Sequence, residues 1–220
     1  DSYIKPLFLN RNLNAPIEVA KQLLMPKENS AGNIVCNAVM AAMSQAIWDL
    51  FGKFKQEPLY RLLNPDGPKE VRIRAYASGG MWYDSQDPIL LVDEALRYQA
   101  EGYTAWKFRP EVPKGLGHFA RTKNPPPIEI DRFLKVAEKL SLEVGASMDL
   151  MIDVGCRLPD ITSAQKFASA LAEMGYLFLE EPLPRHRESY AQLRQLVTIP
   201  IAGGETLTRS KQFSDWVDKS

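Results

Sequence analysis

The sequence predicts an α/β chain. A helical segment occupies residues 1–66, and residues 67–220 form a parallel β-sheet with helices outside it. Three observations carry this expectation. Apolar residues recur at helical spacing in the first part, and the period changes beyond it. Asn64-Pro65-Asp66-Gly67-Pro68 is the strongest breaker in the chain and marks the boundary between the two parts. After it, five short apolar runs alternate with five helical stretches, and strand–helix alternation of that kind closes into a parallel sheet through right-handed crossovers.

The elements follow in order. Pro16 suits a first helical position, with Ile17, Ala20, Leu23 and Leu24 on one face. A longer helix runs from about Asn37 to Lys55, carried by Val39, Met40, Met43, Ile47, Leu50 and Phe51. Gly52 lies inside it at some cost in helix propensity, which points to close packing there. Pro58 interrupts, and Leu59–Leu63 forms a short amphipathic turn. Val71–Ala77 alternates as a first strand. Asp87-Pro88 then opens a helix, as cap and first position, that closes at Gly102. Thr104–Arg109, Met148–Asp153, Leu177–Glu180 and Ile199–Ala202 read as the remaining strands. Between them lie helices over Ile128–Val144, closed by Gly145, over Thr162–Met174, closed by Gly175, and over about Ser189–Leu196. Thr208 caps a last helix. A doubly wound open sheet and a (β/α)₈ barrel both accommodate this series. Ser78-Gly79-Gly80-Met81 stands where the first strand of a dinucleotide-binding sheet would carry G-x-G-x-x-G, which weakens that reading.

Lys plus Arg number 27 and Asp plus Glu 27, so the chain has no basic excess for nucleic acid or a membrane surface. No apolar run reaches the roughly 18 residues of a membrane span. The opening Asp1-Ser2-Tyr3-Ile4-Lys5 has no signal-peptide pattern, and Cys36 and Cys156 fit reduced thiols in a cytoplasmic protein.

In either architecture, chemistry belongs at the carboxyl ends of the strands. The second strand ends Lys107-Phe108-Arg109, the third at Asp153, the fourth at Glu180-Glu181-Pro182 and the fifth at Gly203-Gly204-Glu205. Three successive strands thus bring a carboxylate to one rim, and the strand before them brings two cations that share a face by the period of two. Converging carboxylates raise one another's pKa, and a hard divalent cation such as Mg²⁺ relieves the repulsion. The competing readings are acids that start the following helices and a salt-bridge network without catalysis. Asp149 lies four residues before Asp153, towards the amino end, and reads as a surface residue. Of the two histidines, His118 falls in the long loop after the second strand and His186 after Glu-Glu-Pro-Leu-Pro-Arg. Trp82 and Tyr83 follow the first strand, as pocket wall or as packing.

Five blocks of text, in order, resemble the enolase superfamily, most closely its mandelate racemase/muconate-lactonizing branch. They are Ala46–Lys53, Ala105–Arg109, Met151–Asp153, Leu179–Pro184 and Ile201–Thr206. The resemblance implies a modified (β/α) TIM-type barrel, of which about five βα units are visible, preceded by the helical part of an α+β capping domain. It implies Mg²⁺ held by Asp153, Glu180 and Glu205, with Glu180 rather than Glu181 as the ligand. It implies Lys107 and Arg109 as the catalytic pair, a small-molecule carboxylate substrate and a homo-oligomer. The implied reaction is removal of an α-proton to give an enediolate, as in a hydroxy-acid or acid-sugar dehydratase or a racemase, with cycloisomerisation as the alternative.

Three departures qualify the match. Arg109 stands where the second lysine of Lys-x-Lys is expected, and arginine is a poor base. Either Lys107 takes over the proton transfer, or Arg109 clamps substrate charge. Gly155 stands where an Asn commonly follows the first ligand. The roughly 150 residues after the breaker fall short of the about 250 of a complete barrel. The chain therefore reads as part of a longer one. Strands with opposite-face acid/base residues would follow Ser220, and capping-domain strands would precede Asp1. A non-catalytic piece lacking those residues, and a Schiff-base aldolase using Lys107, are the competing functions.

Overall fold

The computed structural model describes residues 34–80, 88–109, 127–207 and 210–217. The expected helix after Pro16, the Asp87 and Thr208 caps, His118, Trp82 and Tyr83 lie outside the described residues. The chain divides into two compact units, Asp1–Arg72 and Ile73–Ser220.

In the first unit, helix α1 spans Ile34–Lys55 and α2 spans Leu59–Leu63. Between them Gln56 takes a left-handed φ of 55°, and the Glu57 amide donates back to the Gly52 carbonyl at 3.1 Å. A Cβ on Gly52 would meet the Glu57 carbonyl oxygen at 3.1 Å. The close packing expected there is thus the chain folding over its own helix end. Pro58, extended and lacking an N–H, is the residue from which α2 starts.

In the second unit, five strands form one parallel sheet in the order β1-β2-β3-β4-β5. They are β1 (Ala77–Gly79), β2 (Ala105–Phe108), β3 (Asp149–Asp153), β4 (Phe178–Glu180) and β5 (Ile201–Ala202). Helices α3 (Pro88–Ala100), α4 (Ile130–Val144), α5 (Ile161–Glu173) and α6 (Arg187–Leu196) connect consecutive strands, and α7 (Ser210–Val217) follows β5. This is the α/β, partial-barrel architecture the sequence predicts.

Period two divides the sheet's faces. Trp106, Phe108, Leu150, Ile152 and Leu179 turn to the helices and join Leu91, Ala95, Phe133, Leu140, Phe167, Leu171 and Leu193 in one buried core. Trp106 stacks on Phe108 with ring centroids 5.0 Å apart. Lys107, Met151 and Phe178 are register neighbours on the opposite face, where the Tyr76 ring meets Phe178 edge-on at 6.4 Å. Met151 is fully buried there although it is no part of the helix-facing core. Burial of Met151 on this second face, at the middle of the central strand, is why β3 reads as Leu-Met-Ile rather than as alternating text.

The first strand is a correction. It forms over Ala77–Gly79, not Val71–Ala77. The alternating residues before it lie outside the sheet, with Ile73 85% exposed. Arg74 tethers this entry segment to the amino end of the sheet, donating to the Thr104 hydroxyl (2.9 Å), the Thr104 carbonyl (2.7 Å) and Asp149 (2.5 Å). Asp149 is thereby the surface residue expected of it. β5 is likewise shorter than expected at its start, where Pro200 has no N–H and contributes only its carbonyl, to the Leu179 amide at 3.0 Å.

Glycine ends two helices as expected, Gly102 at φ 95° and Gly175 at φ 79°. Gly145 also closes its helix as expected, capping α4 after Val144, but at a φ of −63°, where its lack of a side chain accommodates the Ser141 carbonyl oxygen. Nothing lies within 4 Å of a Cβ added at Gly175, so Gly175→Ala tests backbone conformation alone. We expect it to lower unfolding free energy by about 1 kcal/mol in a denaturant titration.

Asp160 caps α5, its extended backbone letting Oδ1 accept from the Ser163 amide at 2.7 Å. These hydrogen bonds hold its carboxyl below the ordinary value. A depressed folded pKa contributes stability above the unfolded value of about 3.9, and loses it as pH falls through the lower folded value. Asp160→Ala should therefore unfold earlier than the parent protein at neutral pH. The gap in denaturant midpoint should narrow as the pH is taken below about 4.

Candidate active site

The carboxyl end of the sheet gathers the charged residues. Lys107 is the third residue of β2, and Arg109 follows the strand with its amide held by the Gly79 carbonyl at 3.2 Å. Asp153 and Glu180 end β3 and β4 and are register partners. Glu205 sits in the turn beyond β5, three residues past Ala202. All five predicted residues therefore occupy the same end of the sheet.

Each acid there faces a cation. Lys107 Nζ lies 2.5 Å from Glu180 Oε2, both side chains 15% exposed. Arg109 donates through Nε at 3.0 Å and through Nη2 to Asp153 Oδ2. Arg185 Nη2 reaches Glu205 Oε1 at 2.7 Å. The Gly155 amide donates to Asp153 Oδ1 at 2.9 Å. Support for Asp153, expected of an Asn side chain, thus comes from the backbone of a glycine at φ 59°.

The acids line the rim without closing on a common point. Among the described residues no three His, Cys, Asp or Glu side chains are grouped closely enough to hold a metal ion. Opposite charges in contact outweigh the mutual repulsion of the carboxylates, so each acid turns to its own cation. The fields still overlap. Burial raises the Glu180 pKa, and the Asp153 and Glu205 charges add to it, against the Lys107 hydrogen bond and charge. Burial works to lower the Lys107 pKa, but the Glu180 hydrogen bond and charge win and raise it. Arg109 is raised in the same way, with burial opposed by Asp153. Three hard oxygen donors, one already crowded by the charge of the other two, are of the kind that accepts Mg²⁺.

Glu181 behaves differently from its neighbour. It is fully buried, with a left-handed φ of 48°. Its carboxylate accepts from the Gly204 amide (2.8 Å), the Glu205 amide (3.3 Å), Cys156 Sγ (2.8 Å), Tyr190 OH (3.2 Å) and Arg185 Nε (2.8 Å). Burial would raise its pKa, yet these donors hold it below the ordinary value. Burial and the adjacent carboxylate push the Cys156 thiol and the Tyr190 phenol up, so both remain protonated donors. Sequence reasoning did not single out Cys156, Arg185 or Tyr190 as partners. The available signal was the Glu180-Glu181 pair, since consecutive residues at a strand end cannot both face the rim. His186 is exposed and acts through its backbone, accepting from the Ser189 and Tyr190 amides at the start of α6.

A parallel series of five βα strands with acids and cations at its carboxyl rim defines the class as part of a (β/α) TIM-type barrel. Residues 90–220 match the family described as "Enolase C-terminal domain-like". The chain belongs to the enolase superfamily, as a mandelate racemase/muconate-lactonizing C-terminal domain. It is 32% identical over 184 residues to the D-gluconate/D-galactonate dehydratase of Picrophilus torridus, covering 83% of this chain and 44% of that protein. Among solved structures, the 3,6-anhydro-D-galactonate cycloisomerase from Zobellia galactanivorans is 28% identical with a TM-score of 0.78, over 97% of this chain and 54% of that one. A mandelate racemase/muconate lactonizing protein from Paracoccus denitrificans PD1222, complexed with magnesium, shares the fold at a TM-score of 0.81 and 21% identity, over 98% and 55% of the two chains. The chain spans about half the length of the relatives it matches. Among the described residues no helix is long and apolar enough to cross a membrane.

The Lys107–Glu180 pair makes a direct prediction. Lys107→Met strands a largely buried carboxylate beside two others, and unfolding free energy should fall by about 3 kcal/mol. Lys107→Arg keeps the charge and should lose clearly less, as read by chemical denaturation.

Proposed function

We propose that the whole protein is a Mg²⁺-dependent dehydratase of sugar acids, and that residues 67–220 supply one side of its active site. Residues 1–66 would then belong to the capping domain. The observation that carries this reading is the shared rim: Lys107 and Arg109 on one side, with Asp153 and Glu180 in register beside them and Glu205 next along. Similarity to acid-sugar dehydratases supports the substrate class. Asp153, Glu180 and Glu205 would hold the cation. What the cation supplies is stabilisation of negative charge on the substrate carboxylate as the α-proton leaves, and a second partner for Glu180, whose carboxylate otherwise holds Lys107 as ammonium.

In this reading Lys107 Nζ takes the α-proton. Arg109 stays protonated and faces the charge that develops on the carboxylate. The β-hydroxyl then departs as water, taking the proton that Lys107 accepted, and the enol left behind tautomerises to the 2-keto acid. The likeness to a 3,6-anhydro-D-galactonate cycloisomerase supports a second outcome from the same proton abstraction, in which the departing β-oxygen is a ring oxygen that stays attached to the substrate.

The test uses the full-length protein with Mg²⁺ and a panel of sugar acids, scored for 2-keto product and for α-deuterium exchange in D₂O. Gluconate and galactonate should turn over. Lys107→Met should abolish exchange from this face, and Arg109→Lys should retain part of it by restoring two lysines. Glu205→Gln should weaken Mg²⁺ binding strongly in calorimetry. Exchange that survives in Lys107→Met places the base elsewhere and rejects its assignment. Unchanged Mg²⁺ affinity in Glu205→Gln rejects that ligand.

A further inference from the structure

We propose that Glu181 is a positioning residue. Its one buried carboxylate ties the exits of β3, β4 and β5 into a unit and so sets the spacing of the rim acids; for the metal this rests on the reading given above. The geometry is specific to the three exits. Oε1 takes the Gly204 and Glu205 amides after β5. Oε2 takes the Cys156 thiol after β3, and Tyr190 and Arg185 beyond β4. The main chain repeats the pattern, since the Glu181 amide donates to the Ala202 carbonyl at 2.9 Å and the Cys156 amide to the Glu181 carbonyl at 2.5 Å.

Backbone conformation supports the same role. Glu181 and Cys156 both hold positive φ, at 48° and 64°, without being glycine. Such conformations are costly for a residue with a Cβ and persist where the surroundings over-determine them. Here the same hydrogen-bonded pair joins the two strained residues. Two glycines complete the fit. Gly204 takes φ 96°, which turns its amide onto Glu181. A Cβ on Gly203 would meet the Tyr190 ring at 2.9 Å.

Charge completes the argument. A buried carboxylate is stable only when paired and hydrogen-bonded. Arg185 provides the pairing, and its second nitrogen reaches Glu205. The Glu205 backbone is therefore held by Glu181 directly and its side chain through Arg185. Asp153 stands three residues before Cys156, and Glu180 precedes Glu181, so each of the three rim acids is close in sequence to an anchor on this carboxylate.

The experiment measures amide hydrogen exchange at Gly204 and Glu205 and Mg²⁺ affinity by calorimetry, in the full protein and in Glu181→Ala, Glu181→Gln and Leu193→Ala. Glu181→Ala should speed exchange at both amides by at least about tenfold and weaken Mg²⁺ about 10–100-fold. Glu181→Gln keeps a carbonyl oxygen for the two amides but turns an NH2 group toward the donors Arg185, Cys156 and Tyr190, and should fall between Glu181→Ala and the unaltered protein on both readouts. Leu193→Ala, a buried change elsewhere, should lower thermal stability and leave both readouts alone. Unchanged exchange and affinity in Glu181→Ala overturn the proposal, as does Leu193→Ala reproducing its losses. If Glu181→Ala does not fold, the unaltered protein decides. A Gly204 amide slowed at least about tenfold below its free-peptide rate supports the anchor, and an unprotected one overturns it. If the unaltered protein binds no Mg²⁺, the metal reading fails, and the exchange data alone judge Glu181.

Discussion

Strand register is the constraint on which the site depends. Lys107 pairs with Met151, Met151 with Phe178, and Asp153 with Glu180. A slip of one residue in β3 would turn Asp153 towards the helices and bring Ile152 to the rim. The helix-facing core forbids the slip, because Trp106, Phe108, Leu150, Ile152 and Leu179 fill it without exposure beyond 3%. Apolar burial on one face therefore fixes the charged geometry on the other. The chemistry is positioned by residues that take no part in it.

Much of this was legible in the sequence. Strand–helix alternation revealed the parallel sheet, and period two placed Lys107 and Arg109 on one face. What misled was alternation without a partner. Val71–Tyr76 has the pattern of a strand, but pattern alone does not say whether a neighbour has hydrogen bonds to offer, and Arg74 ties the segment down by its side chain instead. Gly145 closes α4 where the sequence expects it to, by close approach to a carbonyl rather than by a left-handed turn. At the site, partners distant in sequence were invisible. Nothing local in Cys156 or Tyr190 announces that both donate to the carboxylate of Glu181.

The rim illustrates how a protein stores acidic groups at close quarters. Five charged residues, two of them cations, would leave an excess of negative charge if Arg185 did not add a third cation from the β4 exit. With it each rim acid has a cation, although Arg185 is shared between Glu205 and the buried Glu181. Each pair is a hydrogen-bonded contact, so orientation as well as charge is fixed. A ligand entering the rim must exchange partners with these pairs rather than fill open space.

The Arg74 tether has a further meaning. It binds β2 and β3 at their amino ends through Thr104 and Asp149, a full strand length from Asp153. Substitutions there act on how the scaffold is held, whereas substitutions at the opposite end act on the charge pairs. The sheet thus separates robustness from specificity along its own axis. One end can tune how firmly the scaffold holds while the other varies its charged groups, which makes a parallel barrel sheet a readily evolvable platform.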